Sequence, residues 1–393
     1  MIYDFDKIID RLGTYSTQWD YIEDRFGRKD LLPFSISDTD FEVPSVVIED
    51  LQTCIQHSVF GYTRWNHDDF KMPIVHHFLN RGNTHIEKDW ILYSPSVMYS
   101  VSVLLRFVSE VNDGVLVFDP MYDAFINVIE KNERRLLPCA LCRDHHFSID
   151  WEEHKAKQAK VFLLCSPHNP TGRVFTLEEH KKMISICKAH KVFIISDEIH
   201  SDVVLHGSKH VPILHFYQEY DKMALVSSSS KTFNTPALGG SYAMVPNKDL
   251  YDSFLLQTRQ KDFVNSANIM GMKALMCAYQ NAQDYIDQLI SYIEGNMKMI
   301  EDFMKKEFPM IQFCCPQATY LAWIDVRELP YSSASIQKAL VEVGKVGIMA
   351  GEVYGENGKG YLRLNAGCPR SKLEEGLERF KKAMLALNEG IIC

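Results

Sequence analysis

Four short apolar runs limit what this chain can fold into more than any other feature: Gly114-Val-Leu-Val-Phe118, Val161-Phe-Leu-Leu164, Val192-Phe-Ile-Ile195 and Met223-Ala-Leu-Val226. A strand with one wetted face alternates apolar and polar side chains. These runs do not alternate, so both of their faces must be covered, as in a parallel sheet between helices. Between the second and third runs, Thr176-Leu-Glu-Glu179 predicts a capping box, and Met183, Ile184 and Cys187 continue an apolar helical face. A strand, a capped helix and another strand within about 35 residues make a βαβ unit.

After about residue 250 the period changes. Ile286, Leu289, Ile290, Ile293, Met297, Ile300 and Met304 keep three-to-four spacing, which predicts one long helix. Beyond it, short strands are expected at Ile311–Cys315, Thr319–Asp325 and Tyr361–Leu364, and a last helix at a second capping box, Ser371-Lys-Leu-Glu374. The reading is therefore α/β: a large domain (46–285) with a mainly parallel sheet flanked by helices, and a smaller α+β domain (286–393). Residues 1–45 carry too little periodicity to stand alone and are expected to pack onto the smaller domain as an arm.

At 393 residues the chain is too long for one ordinary core. A formal net charge of −9 gives no electrostatic reason to bind nucleic acid or an anionic membrane. Ten cysteines in so long a chain suit reduced thiols and a cytoplasmic setting better than a disulfide scaffold. No apolar run approaches the length of a membrane span, and the acidic N-terminus is unlike a signal peptide.

The residues just after each run carry the chemistry. Phe118 leads into Asp119-Pro-Met-Tyr122, and Leu164 into Cys165-Ser-Pro-His-Asn169-Pro-Thr-Gly172. Ile195 leads into Ser196-Asp197-Glu-Ile-His200, and Val226 into Ser227-Ser-Ser-Ser-Lys231-Thr-Phe-Asn234. Ligands of open α/β sheets sit at the carboxyl ends of the strands. An aromatic ring, a carboxamide, a carboxylate and a lysine at one sheet edge ask for a flat, charged ligand. Pyridoxal 5′-phosphate (PLP) needs such a set: a lysine for its aldehyde, a carboxylate for its ring nitrogen, and amides and hydroxyls for its phosphate.

In order and spacing these motifs resemble those of fold type I PLP enzymes (aminotransferase class I/II), and more narrowly their cystathionine β-lyase, or cysteine C–S lyase, branch. Ser37-Asp-Thr-Asp-Phe41, Phe60-Gly-Tyr-Thr63, Thr319-Tyr-Leu-Ala-Trp-Ile-Asp325 and Arg363-Leu-Asn-Ala-Gly-Cys-Pro-Arg370 extend the resemblance over nearly the whole chain. It implies that Lys231 is the Schiff-base lysine and the base that moves the Cα proton. Asp197 would partner the pyridine nitrogen, Asn169 the phenolic oxygen and the substrate, and Tyr122 would stack on the ring. Ser228 and Ser230 with the amides of Val97 and Met98 would form the phosphate cup, with His200 nearby in the cofactor site. Arg363 would clamp the substrate carboxylate, and Tyr62 would reach the phosphate from the second subunit of a homodimer. Ser94-Pro95 independently reads as an N-cap and first-turn pair.

His200 stands where many aminotransferases have Tyr, and Gly239 where many have a phosphate-binding Arg. The lyase branch shares both departures. Ser96 and Ala318 replace glycines usual in both groups. The resemblance implies β-elimination at the C–S bond of L-cystathionine or cysteine S-conjugates, giving a thiol, pyruvate and ammonia. An aminotransferase with the same cofactor, and a regulatory, partner-binding protein with residual lyase activity, are the alternatives.

Taken singly, each residue has a blander reading: Lys231 a solvated turn, Asp197 a helix cap, Asn169-Pro-Thr-Gly172 a turn, Tyr122 core packing, Arg363 half of a surface ion pair. Cys139-Ala-Leu-Cys142 before His145-His146 has zinc-like spacing without a second CxxC, so no metal site is expected.

Overall fold

The computed structural model describes residues 2–144, 146–264 and 266–390. The four apolar runs are strands, buried along nearly their whole length. With three more strands they form one sheet: β1 (Ile91–Ser94), β2 (Gly114–Asp119), β3 (Arg135–Ala140), β4 (Ala159–Cys165), β5 (Phe193–Asp197), β6 (Met223–Ser227) and β7 (Ser241–Met244). The spatial order is β1-β7-β6-β5-β4-β2-β3. β2 through β6 run parallel, while β7 is antiparallel to both its neighbours. The sheet is mixed but mainly parallel, and helices cover it.

Three helices carry the covering and set the strand ends. In α1 (Val97–Val108) the N-cap is Ser96, whose side chain accepts from the Tyr99 amide. Ser94, expected to be the cap, instead ends β1 and turns its hydroxyl to the Ser96 carbonyl. Strand pairing runs through Ser94, so the helix starts two residues later than the Ser-Pro signal suggested. Helix α2 (Asp123–Lys131) follows Tyr122 directly. Helix α3 (Leu177–His190) starts at the expected capping box, with both Thr176–Glu179 hydrogen bonds present. The long helix is α4 (Gln283–Glu307).

A separate three-stranded sheet is built from β8 (Leu321–Asp325), β9 (Met349–Ala350) and β10 (Tyr361–Asn365), with β10 between the other two and antiparallel to both. The stretch Ile311–Cys315 is not a strand: one bridge, Gln312 to Asp325, is all it forms, because the chain turns away at Pro316. The last helix, α5 (Arg370–Asn388), does not use the Ser371 capping box. Its first amide, on Arg370, donates to the Tyr292 hydroxyl at 2.9 Å and to Asp6 Oδ1 at 3.3 Å. The cap arrives from distant segments, so local sequence could not show it.

The N-terminal segment is tied to the C-terminal one. Leu32–Pro33 pairs in parallel with Val346–Gly347. Buried Asp40 accepts from Arg11 at 2.8 Å, Trp19 Nε1 at 3.0 Å and Lys372 on α5 at 2.5 Å. Burial pushes the Asp40 carboxyl up, but the Lys372 charge and the hydrogen bonds outweigh it and hold the group below its ordinary range. Asp40→Ala leaves two cations facing an empty, buried position and is expected to cost about 3–5 kcal/mol in thermal or urea unfolding. A lowered folded pKa contributes stability that is present above the ordinary Asp value and lost as pH falls through the folded value. The destabilisation by Asp40→Ala should therefore shrink on acidification below pH ~4.

Candidate active site

The carboxyl ends of β2, β4, β5 and β6 open onto one cavity. Tyr122 reaches it after β2, Cys165 and Asn169 at and after β4, Asp197 and His200 at and after β5, and Lys231 after β6. Val97 and Met98, the first residues of α1, line its other side with Ser37. First-turn amides of a helix have no intrahelical acceptor, so this wall offers N–H donors.

The electrostatics of the cavity centre on Asp197 and Lys231. Asp197 is buried, and the hydrogen bond described for its carboxylate comes from the Ile199 amide at 3.2 Å. Burial pushes its pKa up to about 7, while that hydrogen bond and the Lys231 charge oppose the rise. Burial pulls the Lys231 ammonium down to about 8; Asp38 acts against this and Arg363 with it. Its Nζ donates to the Ser37 carbonyl at 2.6 Å. Burial, then the Lys231 and Arg363 charges, lower His200 to about 3, so it is neutral, and its Nδ1 has no partner. Tyr122 is pushed up to about 12 by burial and stays a neutral phenol.

Arg363, on β10, is buried rather than at the surface. It donates to Asn169 Oδ1 at 3.1 Å and to the Ser35 carbonyl at 2.7 Å. Its guanidinium lies 4.5 Å from the Tyr354 ring centroid, and its Nε lacks an acceptor. Ser228 and Ser230 are buried beyond Lys231: Ser228 Oγ donates to the Gly240 carbonyl at 2.8 Å and accepts from the Ser230 amide at 3.1 Å. Tyr62 stands apart. It is 99% exposed and lines a different surface hollow with Arg259 and Thr258, so a single chain does not bring it to the cavity.

Sequence reasoning assigned no role to Ser37, Asp38, Tyr354 or Ser35. The Ser37-Asp38 motif was visible, but an acceptor carbonyl leaves no trace in side-chain identity. Among the described residues, no three His, Cys, Asp or Glu groups gather as metal ligands.

The cavity fits PLP on its own terms. A buried carboxylate held by one N–H calls for a cationic N–H partner, which a pyridinium supplies. A lysine near pH 8 is partly the free amine an aldehyde requires. Unpaired helix amides and buried serines suit a phosphate.

Fold and site together define an enzyme that gathers a lysine, a carboxylate and a buried arginine at the strand ends of a covered α/β sheet. The chain belongs to the aminotransferase class I and II family, whose model matches residues 29–380. It is 43% identical over 98% of its length, and all of the relative's, to Protein MalY of Escherichia coli. It is 34% identical to cystathionine beta-lyase PatB of Bacillus subtilis, over 97% of this chain and 99% of that one. The crystal structure of cystalysin from Treponema denticola, which contains PLP, superposes with a TM-score of 0.93 at 29% identity, covering 98% of this chain and all of that one.

In the cofactor-free protein, the pH dependence of Lys231 acylation should report an amine pKa near 8. Asp38→Asn removes an attractive charge and should move it down; Arg363→Gln removes a repulsive one and should move it up.

Proposed function

We propose that this protein is a PLP-dependent carbon–sulfur lyase that eliminates the thiol from L-cystathionine or a cysteine S-conjugate, leaving pyruvate and ammonia. The observation that carries the reading is Lys231 and Asp197 lining one cavity, beside a buried Arg363 that bonds Asn169. The cystathionine beta-lyase and cystalysin relatives favour elimination over amino transfer.

When bound, PLP supplies a cationic ring that accepts electrons released at the substrate's Cα. The chain's residues do the rest. Asp197, ionised by its cationic partner, keeps the ring nitrogen protonated. Arg363 grips the α-carboxylate with two parallel N–H groups, one being the Nε that now lacks an acceptor. Asn169 holds that guanidinium in plane. The Lys231 amine takes the Cα proton, and its hydrogen bond to the Ser37 carbonyl keeps the nitrogen on that side of the cavity. Tyr122 covers the ring face, and neutral His200 adds no competing charge. The amides of Val97 and Met98 with the Ser228 and Ser230 hydroxyls cradle the phosphate.

The chain is read as an arm (1–45), a large domain (46–285) and a small domain (286–393), supported by the pairing of Leu32–Pro33 with Val346–Gly347. It is further read as a homodimer in which Tyr62 reaches the partner's phosphate. Tyr62 is fully exposed, and the nearby apolar Val59 and Phe60 are 68% and 59% exposed, as suits a surface covered in an assembly. No helix among the described residues is long and apolar enough to cross a membrane.

The decisive test is L-cystathionine without any 2-oxo acid. Pyruvate and thiol should accumulate over many turnovers; product that stops at one equivalent per site would make the protein an aminotransferase. Lys231→Ala should lower the rate at least about 10³-fold. Arg363→Lys, which loses the fork, should raise KM about 10–100-fold with a smaller change in kcat. Sedimentation should give a dimer, and Tyr62→Ala should weaken PLP retention on dialysis about tenfold without dissociating it.

A further inference from the structure

A second cleft, of about 310 Å³, shares no lining residue with the catalytic cavity. It is lined by residues 143–144, 146–147, 171 and 173, and by residues 312, 314–317, 323, 325, 327 and 361. Arg173 and Trp323 both line it and are only 8% and 5% exposed. Arg173 uses one terminal nitrogen on the Phe147 carbonyl and the other on Glu179 at 2.6 Å. Its Nε, like Trp323 Nε1, is a buried N–H without an acceptor. A buried N–H without an acceptor is costly, so two on one cleft mark a place built for an acceptor that binds there.

Charge narrows what that acceptor is. Arg327 on the cleft is neutralised by Asp325 at 2.6 Å. Arg143 donates to the Glu356 carbonyl and has no ion pair described. Arg173 is likewise paired with Glu179, so of the three arginines on the cleft Arg143 is the one with no ion pair described. The Trp323 and Tyr361 rings, stacked at 5.0 Å, add an apolar surface.

We infer that this cleft binds the carboxylate of a small organic anion, received by the Trp323 and Arg173 N–H donors and by Arg143. The site is tied to the catalytic one by covalent neighbours. Arg173 lies on the loop that begins at Asn169, and Trp323 sits opposite Arg363 in strand register. An anion bridging Arg173 and Trp323 therefore holds the two elements whose Asn169–Arg363 bond forms the substrate clamp, and occupancy should lower KM. This coupling rests on the role proposed for Arg363; the binding itself does not.

The exposed Cys314 at the rim supplies a footprint. L-lactate, which has the carboxylate but no carbonyl to react with amines, should slow maleimide alkylation of Cys314 saturably, by about threefold near twice its Kd. Neutral lactamide should not. Trp323→Phe keeps an aromatic ring against Tyr361 but removes the N–H together with part of the indole; Arg143→Gln alters an exposed side chain. Each should abolish protection, and Arg143→Gln should do so without shifting the ligand-free melting temperature. N-acetylglycylglycine, run in parallel, distinguishes a peptide terminus from a free acid, and protection by either supports the site. Absence of protection by both anions, equal protection by lactamide, or full protection in both variants overturns it. A footprint with unchanged KM for cystathionine overturns the coupling alone.

Discussion

A carboxylate without enough hydrogen bonds sits at the centre of this structure. Asp197 is enclosed at the end of β5, and one amide 3.2 Å away does little to offset its removal from water. The group is therefore poised between its acid and its anion, near pH 7. A cationic ring placed against it would resolve the conflict and would itself be held protonated, and the proposed reaction would use that same electron demand. The lysine opposite is subject to the same enclosure with the reverse sign, which leaves part of it uncharged and nucleophilic.

The sheet makes this arrangement cheap to build. Strands buried on both faces admit no charge along their length, so polar groups can emerge only where a strand stops. Parallel strands stop at one edge. Asn169, Asp197 and Lys231 follow three adjacent strands, β4, β5 and β6, and converge with no long loop. That is why the runs and the motifs after them were legible from sequence: β-branched continuity marked the strands, and the next polar residues marked the edge. The capping box at Thr176 and the long helix at Gln283–Glu307 were equally plain, because their signals are local.

Other features were hidden for reasons that can be named. Ser94 and Ser96 are both competent caps; how far strand pairing extends decides between them. Arg370 takes its cap from Asp6 and Tyr292, so the strong local signal at Ser371 goes unused. Ile311–Cys315 has strand composition but no neighbour to pair with beyond Asp325. The lysine's acceptor is a main-chain carbonyl. The guanidinium of Arg363 rests on Tyr354, a residue in no motif. The second cleft exists only where two distant segments face each other.

The strap at residues 35–38 borders the cavity at Ser37. Its Ser35 and Ser37 carbonyls receive Arg363 and Lys231, and those of Ile36 and Asp38 both receive Asn365 at 2.5 Å. Ser35 thus awaits a residue made 328 positions later. A chain that has not yet reached β10 holds all seven strands of the central sheet, yet Ser35 and Asn169 still lack Arg363. The seat of Arg363 is thus finished only when β10 has been made and has met the strap.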